Sequence, residues 1–268
     1  MATSEPERTE STPSLGALAY VLVHKQVILL LRYPVNTATR FVSLVIFFGL
    51  ILFGGRTVAG PAFSDSLGGV IVGFFVWTLA IVAYSGLAWN VTREAQWGTL
   101  ERLFMSPHGF GTVMATQTLV NVFMSVLWAG SLLLVMMAMA DRWLAVDPVT
   151  VGPLVVLTLA SIVGIGFAFA GLALVYKRIE NVFQLVQFGF IALIAAPVGS
   201  YEWLRLLPIS HGSYLLRQAM DGGLSLGAIP ATELGVLVVT STGYLLAGYY
   251  CFHRAQLRAR RDGLLGQY

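Results

Sequence analysis

Six stretches, each long enough to cross a bilayer and nearly free of charge, constrain this chain more than any other feature it has. They run over Val35 to Gly55, Leu67 to Val91, Gly109 to Ala140, Thr150 to Tyr176, Asn181 to Ser200 and Ala231 to Phe252. In lipid only a helix or a closed barrel satisfies its own backbone, and runs this apolar lack the alternation of a barrel strand. Each stretch therefore predicts a spanning α-helix. Only 11% of the residues are charged, against roughly 25% in an ordinary soluble domain, so little chain remains for a second, water-soluble domain. The expected fold is an all-α integral membrane protein: one six-helix domain over residues 14–253, between a disordered tail at 1–13 and a basic tail at 254–268.

Two segments depart from the spanning pattern. Ser14 to Tyr33 is apolar but carries His24, Lys25, Gln26 and Arg32 and stops at Pro34, which predicts an amphipathic helix lying in the interface. Tyr201 to Pro230 is cut by Pro208, Gly212, Gly222 and Gly223 and carries Glu202, Arg205, Arg217 and Asp221, which predicts short re-entrant helices before the sixth span. Gly54 and Gly55 are expected to end the first span, and Arg40 to snorkel from its start. Gly109 to Ala140 exceeds the thickness of a bilayer, so it tilts or projects. Gly164, Gly166, Ala168, Ala170 and Gly171 are small residues at which helix backbones can touch.

Orientation follows from the basic residues. With the spans placed as above, only Arg56, Arg142, Arg205 and Arg217 of the 16 Lys and Arg fall on the side opposite the termini. The positive-inside bias puts both termini in the cytoplasm of a multi-pass cell-membrane protein. Trp143, Tyr201 and Trp203 then form an outer aromatic belt, with Trp89, Tyr176, Tyr249 and Tyr250 on the inner side.

The chemistry the sequence omits narrows the function. A net charge of +3 comes from residues at the borders of apolar runs, which fits membrane orientation and no nucleic-acid surface. The one cysteine, Cys251, excludes an internal disulfide and a multi-cysteine metal site. His24, His108, His211 and His253 sit in connections or at span ends, so no metal set is expected. Ser210, His211 and Ser213 share one short loop without an orienting carboxylate at a persuasive spacing, so no catalytic residue is assigned. There is no phosphate-cradling loop and no helix with paired histidines. Inside the spans only Arg40 and Glu233 can ionise, and each lies within a turn of an end, so a carboxylate relay for proton coupling is not available. The expected protein is a transporter subunit drawing on a partner for energy. An integral membrane enzyme or an ion-coupled carrier working without an ATPase is the alternative.

One charged segment lies between the second and third spans: Arg93-Glu94-Ala95-Gln96-Trp97-Gly98-Thr99-Leu100-Glu101-Arg102-Leu103-Phe104-Met105-Ser106-Pro107. As a helix it sets Trp97, Leu100 and Phe104 on an apolar stripe, with Glu94, Gly98 and Glu101 on another face. Neither glutamate has a Lys or Arg three or four residues away, so ion pairs within the helix do not account for them. Gly98 costs about 1 kcal/mol relative to alanine in mid-helix, a cost that close approach of another backbone would offset.

The segment closely resembles the Glu-x-x-x-Gly-Thr-Leu-Glu then Pro signature of the type-2 ABC exporter permeases, where it forms the coupling helix. Tyr176-Lys177-Arg178-Ile179-Glu180-Asn181 is similar to that family's basic-then-acidic turn before the fifth span. Leu207-Pro208-Ile209-Ser210, Leu216-Arg217 and Gly222-Gly223 resemble its outer-gate pattern. The resemblance implies a half-transporter with no cofactor of its own. Two permease copies, as a homodimer or a heterodimer, would enclose the pathway, and two separate ABC ATPase subunits carrying ATP and magnesium would dock beneath. It assigns ATPase coupling to Arg93, Glu94, Trp97, Gly98, Thr99, Leu100, Glu101, Arg102 and Pro107, a second input to the interface helix with His24, Lys25 and Arg32, and an outer gate to Pro208, Ser210 and Arg217. One departure is Ala195-Ala196-Pro197-Val198-Gly199-Ser200, where many relatives carry Ser-Gly and aromatic residues. The expected cargo is amphipathic or lipid-linked: a drug, a lipid or a glycan.

Overall fold

The computed structural model describes residues 15–96, 105, 109–176 and 180–261, with backbone alone at 88, 93–96 and 180. Every regular element among them is helical: α1 (Leu15–Arg32), α2 (Pro34–Gln96), α3 (Phe110–Ala140), α4 (Pro148–Tyr176), α5 (Glu180–Ile194), α6 (Ser210–Met220) and α7 (Ala231–Arg261), with 3₁₀ turns at Glu202–Leu206 and Leu226–Ala228. Five of these helices, α1, α2, α3, α4 and α7, are long and apolar enough to cross a membrane. The expected tail at 1–13, residues 262–268 of the expected basic tail at 254–268, the segment from Trp97 to Phe104 with Pro107, and the turn at 177–179 lie outside the described residues, while residues 254–261 continue α7 instead of starting a tail.

α2 holds the first two expected spans in one helix broken at a single residue. Gly60 has φ 53° and ψ −127°, a conformation open to glycine and strained for other residues, and Pro61 starts the second arm. Gly54 and Gly55 do not end the first arm, contrary to the sequence expectation, because glycine only weakens a helix whereas proline removes a donor and clashes with the preceding turn. α1 and α2 are separated by Tyr33 alone, with Pro34 as the first residue of α2.

The helix ends gather at two poles. At one, Arg56 donates to the Ala140 carbonyl at 3.1 Å, Arg142 reaches the Ser64 carbonyl at 3.3 Å, and the Ala145 amide donates to Met220 at 2.8 Å. At the other, Phe110 of α3 stacks on Phe252 of α7 with centroids 5.8 Å apart. α4 is the central helix, packed on α2, α6 and α7 and largely buried between them. α1 buries no residue and is tied to α3 by Gln26, whose amide donates to Asn121 at 3.3 Å.

α4 meets α7 backbone to backbone. A Cβ on Gly248 would strike the main chain of Gly164, and one on Gly164 would strike that of Tyr244 and Leu245. Gly171, one turn pair along, lies against Phe252 and Ala255. Two of the small residues expected to permit close packing therefore do so, and Gly248 supplies the partner.

Asp147 caps the start of α4. Its carboxylate accepts from the Thr150 hydroxyl at 2.6 Å and from the amides of Val149 and Thr150, each at 3.2 Å. The Thr150 hydroxyl, followed by these amides, holds the Asp147 carboxyl below the usual carboxylate range. A depressed folded value contributes stability above the unfolded value and loses it as pH falls through the folded one. Asp147→Ala should melt lower than the parent at neutral pH, and the gap should close below pH ~4. Melting in detergent across that range checks this; a gap independent of pH would contradict it.

Candidate functional site

The chain between α5 and α7 builds a polar cap at the pole that contains Arg56 and Arg142. α5 ends at Ile194, 15 residues after it begins, or about 22 Å, short of the ~30 Å hydrocarbon core. The expected fifth span over Asn181 to Ser200 is therefore helical only in its first part. Pro197 has no amide to offer the Leu193 carbonyl and disfavours helix at the residue before it, and the carbonyls left over are taken up: Ser210 donates to the Leu193 carbonyl at 2.8 Å, and Ser213 and Arg217 reach the Ile194 carbonyl at 3.4 and 3.5 Å. Carbonyls left over at a helix C-terminus need donors, and α6 supplies hydroxyls and a guanidinium that also suits the negative end of the helix dipole.

α6 lies beside α4 rather than above it. Its last residue, Met220, is level with Ala145 outside α4, while Gly212 near its start presses on Thr158, about 15 Å along α4. Gly68 and Gly69 of α2 make room for Asp221 and Arg217 on its other side. The α6 N-terminus follows a γ-turn at Ile209, with φ 70° and an amide–carbonyl bond from Ser210 to Pro208 of 2.8 Å. Positive φ at a β-branched residue costs about 1–3 kcal/mol, which the burial of Ile209 and the serine bonds beside it offset.

A second group of charges closes the cap. Glu233, in the first turn of α7, binds Arg205 at 2.9 Å, and His211 Nε2 lies 3.3 Å from its other oxygen and 3.0 Å from its main-chain carbonyl. Arg142 binds Asp221 at 2.8 Å. His211 is buried and its ring turns to Glu233, while Ser210 and Ser213 spend their hydroxyls on carbonyls. The loop that could have read as a hydrolytic pair is a set of helix fasteners.

The structure thus brings Pro208, Ser210 and Arg217 together at one pole, as the sequence grouped them. It adds Glu233, Arg205 and Asp221, whose pairing spans helices and has no local spacing to reveal it. His24 stacks on Tyr20 at 5.7 Å, and Lys25 and Arg32 are exposed on α1. Arg93 and Glu94 fall in the last turn of α2, while Trp97, Gly98, Thr99, Leu100, Glu101, Arg102 and Pro107 lie outside the described residues. Of the expected aromatic belts, Trp143, Tyr201, Trp203, Tyr176, Tyr249 and Tyr250 are exposed, whereas Trp89 packs on Phe183 at 5.9 Å.

Comparison with family models, curated proteins and solved structures finds no match for this chain.

Glu233→Ala would strip Arg205 of its carboxylate and leave His211 the main-chain carbonyl alone. It should lower stability by about 2 kcal/mol, the scale of a charge-assisted hydrogen bond, and Glu233→Gln by less because its amide oxygen still accepts. Thermal melting of the detergent-purified variants measures both; an alanine variant that melts with the parent would sink the assignment.

Proposed function

We propose that this chain is the membrane subunit of an ATP-driven exporter of the type-2 ABC permease kind, working with a separate ATPase. The observation that carries the reading is the Glu94 to Pro107 wording, set between two long apolar helices, α2 and α3. Supporting it, the described ion pairs, Arg142 with Asp221 and Arg205 with Glu233, lie at helix ends rather than at the depth where a carrier would relay ions.

In this reading the two arms of α2, then α3, α4, α5 with α6, and α7 make six crossings, and α1 lies along the inner surface. The pole of Arg56 faces outward and both termini face the cytoplasm. α6 enters from outside beside α4 and closes the outer end of the pathway, with Pro208, Ser210 and Arg217 at the joint with α5. ATP-driven closure of an ATPase pair pushes the segment after α2, and the packed spans follow as rigid bodies. The cargo is amphipathic or lipid-linked.

The test is co-expression with an ABC ATPase, co-purification, and ATP turnover by the complex in vesicles. A stable complex whose turnover rises when the permease is present supports the reading. Transport that continues without any ATPase would overturn it.

A further inference from the structure

The pole opposite the polar cap carries a groove that the transport reading does not use. It measures about 760 Å³ and lies between the last turns of α4 and the last turns of α7. One wall, with Ala168, Leu172 and Val175, belongs to α4, a helix with no Asp, Glu, Lys or Arg along its whole length. The other wall carries Arg254, Arg258 and Arg261 at i, i+4 and i+7, so the three guanidiniums share one stripe. Arg260, off that stripe, does not line the groove.

We propose that this groove is a binding site for one anionic glycerophospholipid, its acyl chain against the α4 wall and its phosphate on the arginine stripe. Two features select that occupant. The groove is apolar along one wall and cationic along the other, which matches a molecule with a hydrocarbon tail and an anionic head. Its charge starts at Arg254, two residues past the charge-poor span that ends at Phe252, the depth at which a lipid phosphate sits. Guanidinium forks bind phosphate oxygens in pairs, which favours them over lysines for this task. Arg254 also rests over the Tyr250 ring at 5.9 Å, which holds its stem against the helix. The proposal rests on the membrane embedding of α4 and α7 and is independent of any ATPase.

Native mass spectrometry of the full chain, purified in neutral detergent and offered equal amounts of phosphatidylglycerol and phosphatidylcholine, tests it. One phosphatidylglycerol should be retained roughly tenfold over phosphatidylcholine, a difference of about 1.4 kcal/mol. Two variants should each abolish that preference: Arg254→Gln with Arg258→Gln and Arg261→Gln, which removes charge, and Ala168→Trp, which fills the apolar wall and leaves every charge in place. Equal retention of both lipids by the parent would overturn the site. So would a preference that survives Ala168→Trp, since the lipid would then be held by surface charge alone. Displacement of the bound lipid by an equimolar glutamate-rich peptide would instead mark the groove as a protein-docking surface.

Discussion

Gly248→Leu is expected to leave little folded protein, while Gly243→Leu, five residues away on the same helix, leaves the fold intact. At Gly248 the added carbon would run into the carbonyl and Cα of Gly164, and at Gly243 nothing lies within 4 Å. Overpacking against side chains costs about 1–3 kcal/mol because rotamers can shift. Against a main chain held in the middle of another helix, the two helices must separate instead. In lipid no hydrophobic force draws helices together, so α4 and α7 depend on close backbone contact along this seam. The loss should exceed ~3 kcal/mol, against a total stability on the order of 5–15 kcal/mol. Leucine is also a better helix former than glycine by about 0.8 kcal/mol, so the Gly243 variant should be neutral or slightly stabilised. Yield, monodispersity and melting in detergent give the readout. If the two variants behave alike, the seam is not where the structure puts it.

The same seam shows what periodicity and composition could and could not supply. A charge-free run with a proline or a polar residue at its border has one physical outcome in lipid. Accordingly α3, α4 and the start of α7 begin and end within two residues of where their sequence breaks. Gly164 and Gly171 were legible as candidates for close contact because small residues recur along this part of α4. Gly248 was not, since nothing local separates it from Gly243 or Gly235; only the path of the neighbouring helix does. The capping of α5 was hidden for a similar reason. Its apolar run continues to the break at Pro197, and only the structure shows Ser210, Ser213 and Arg217 arriving from the next segment to take the carbonyls that break leaves over. Glu233 is the clearest case. In sequence it is an acid one turn inside a span; in space it is the common partner of Arg205 and His211. Pairings across helices leave no spacing to count, and the polar cap is made almost entirely of them.

The opposite dependence, on a segment whose meaning is written in its own residues, governs the coupling proposal. Glu94→Ala with Glu101→Ala is expected to release the ATPase, or uncouple its turnover from transport, without altering insertion of the spans. Both carboxylates lack a partner at helical spacing and flank Gly98, so a docked protein can reach them from one side. A charge-assisted hydrogen bond is worth about 1.5–3 kcal/mol, so losing even one should weaken docking roughly 10–100-fold. Glu94→Gln with Glu101→Gln keeps the acceptors and loses the charge, and should fall between the parent and the alanine pair. Co-purification yields the affinity, and ATP turnover with vesicle transport yields the coupling. Loss of transport with retained docking would place the glutamates in the mechanical stroke rather than the grip. Undiminished docking and transport in the alanine pair would remove this segment as the input, and with it the main support for an ATP-driven reading.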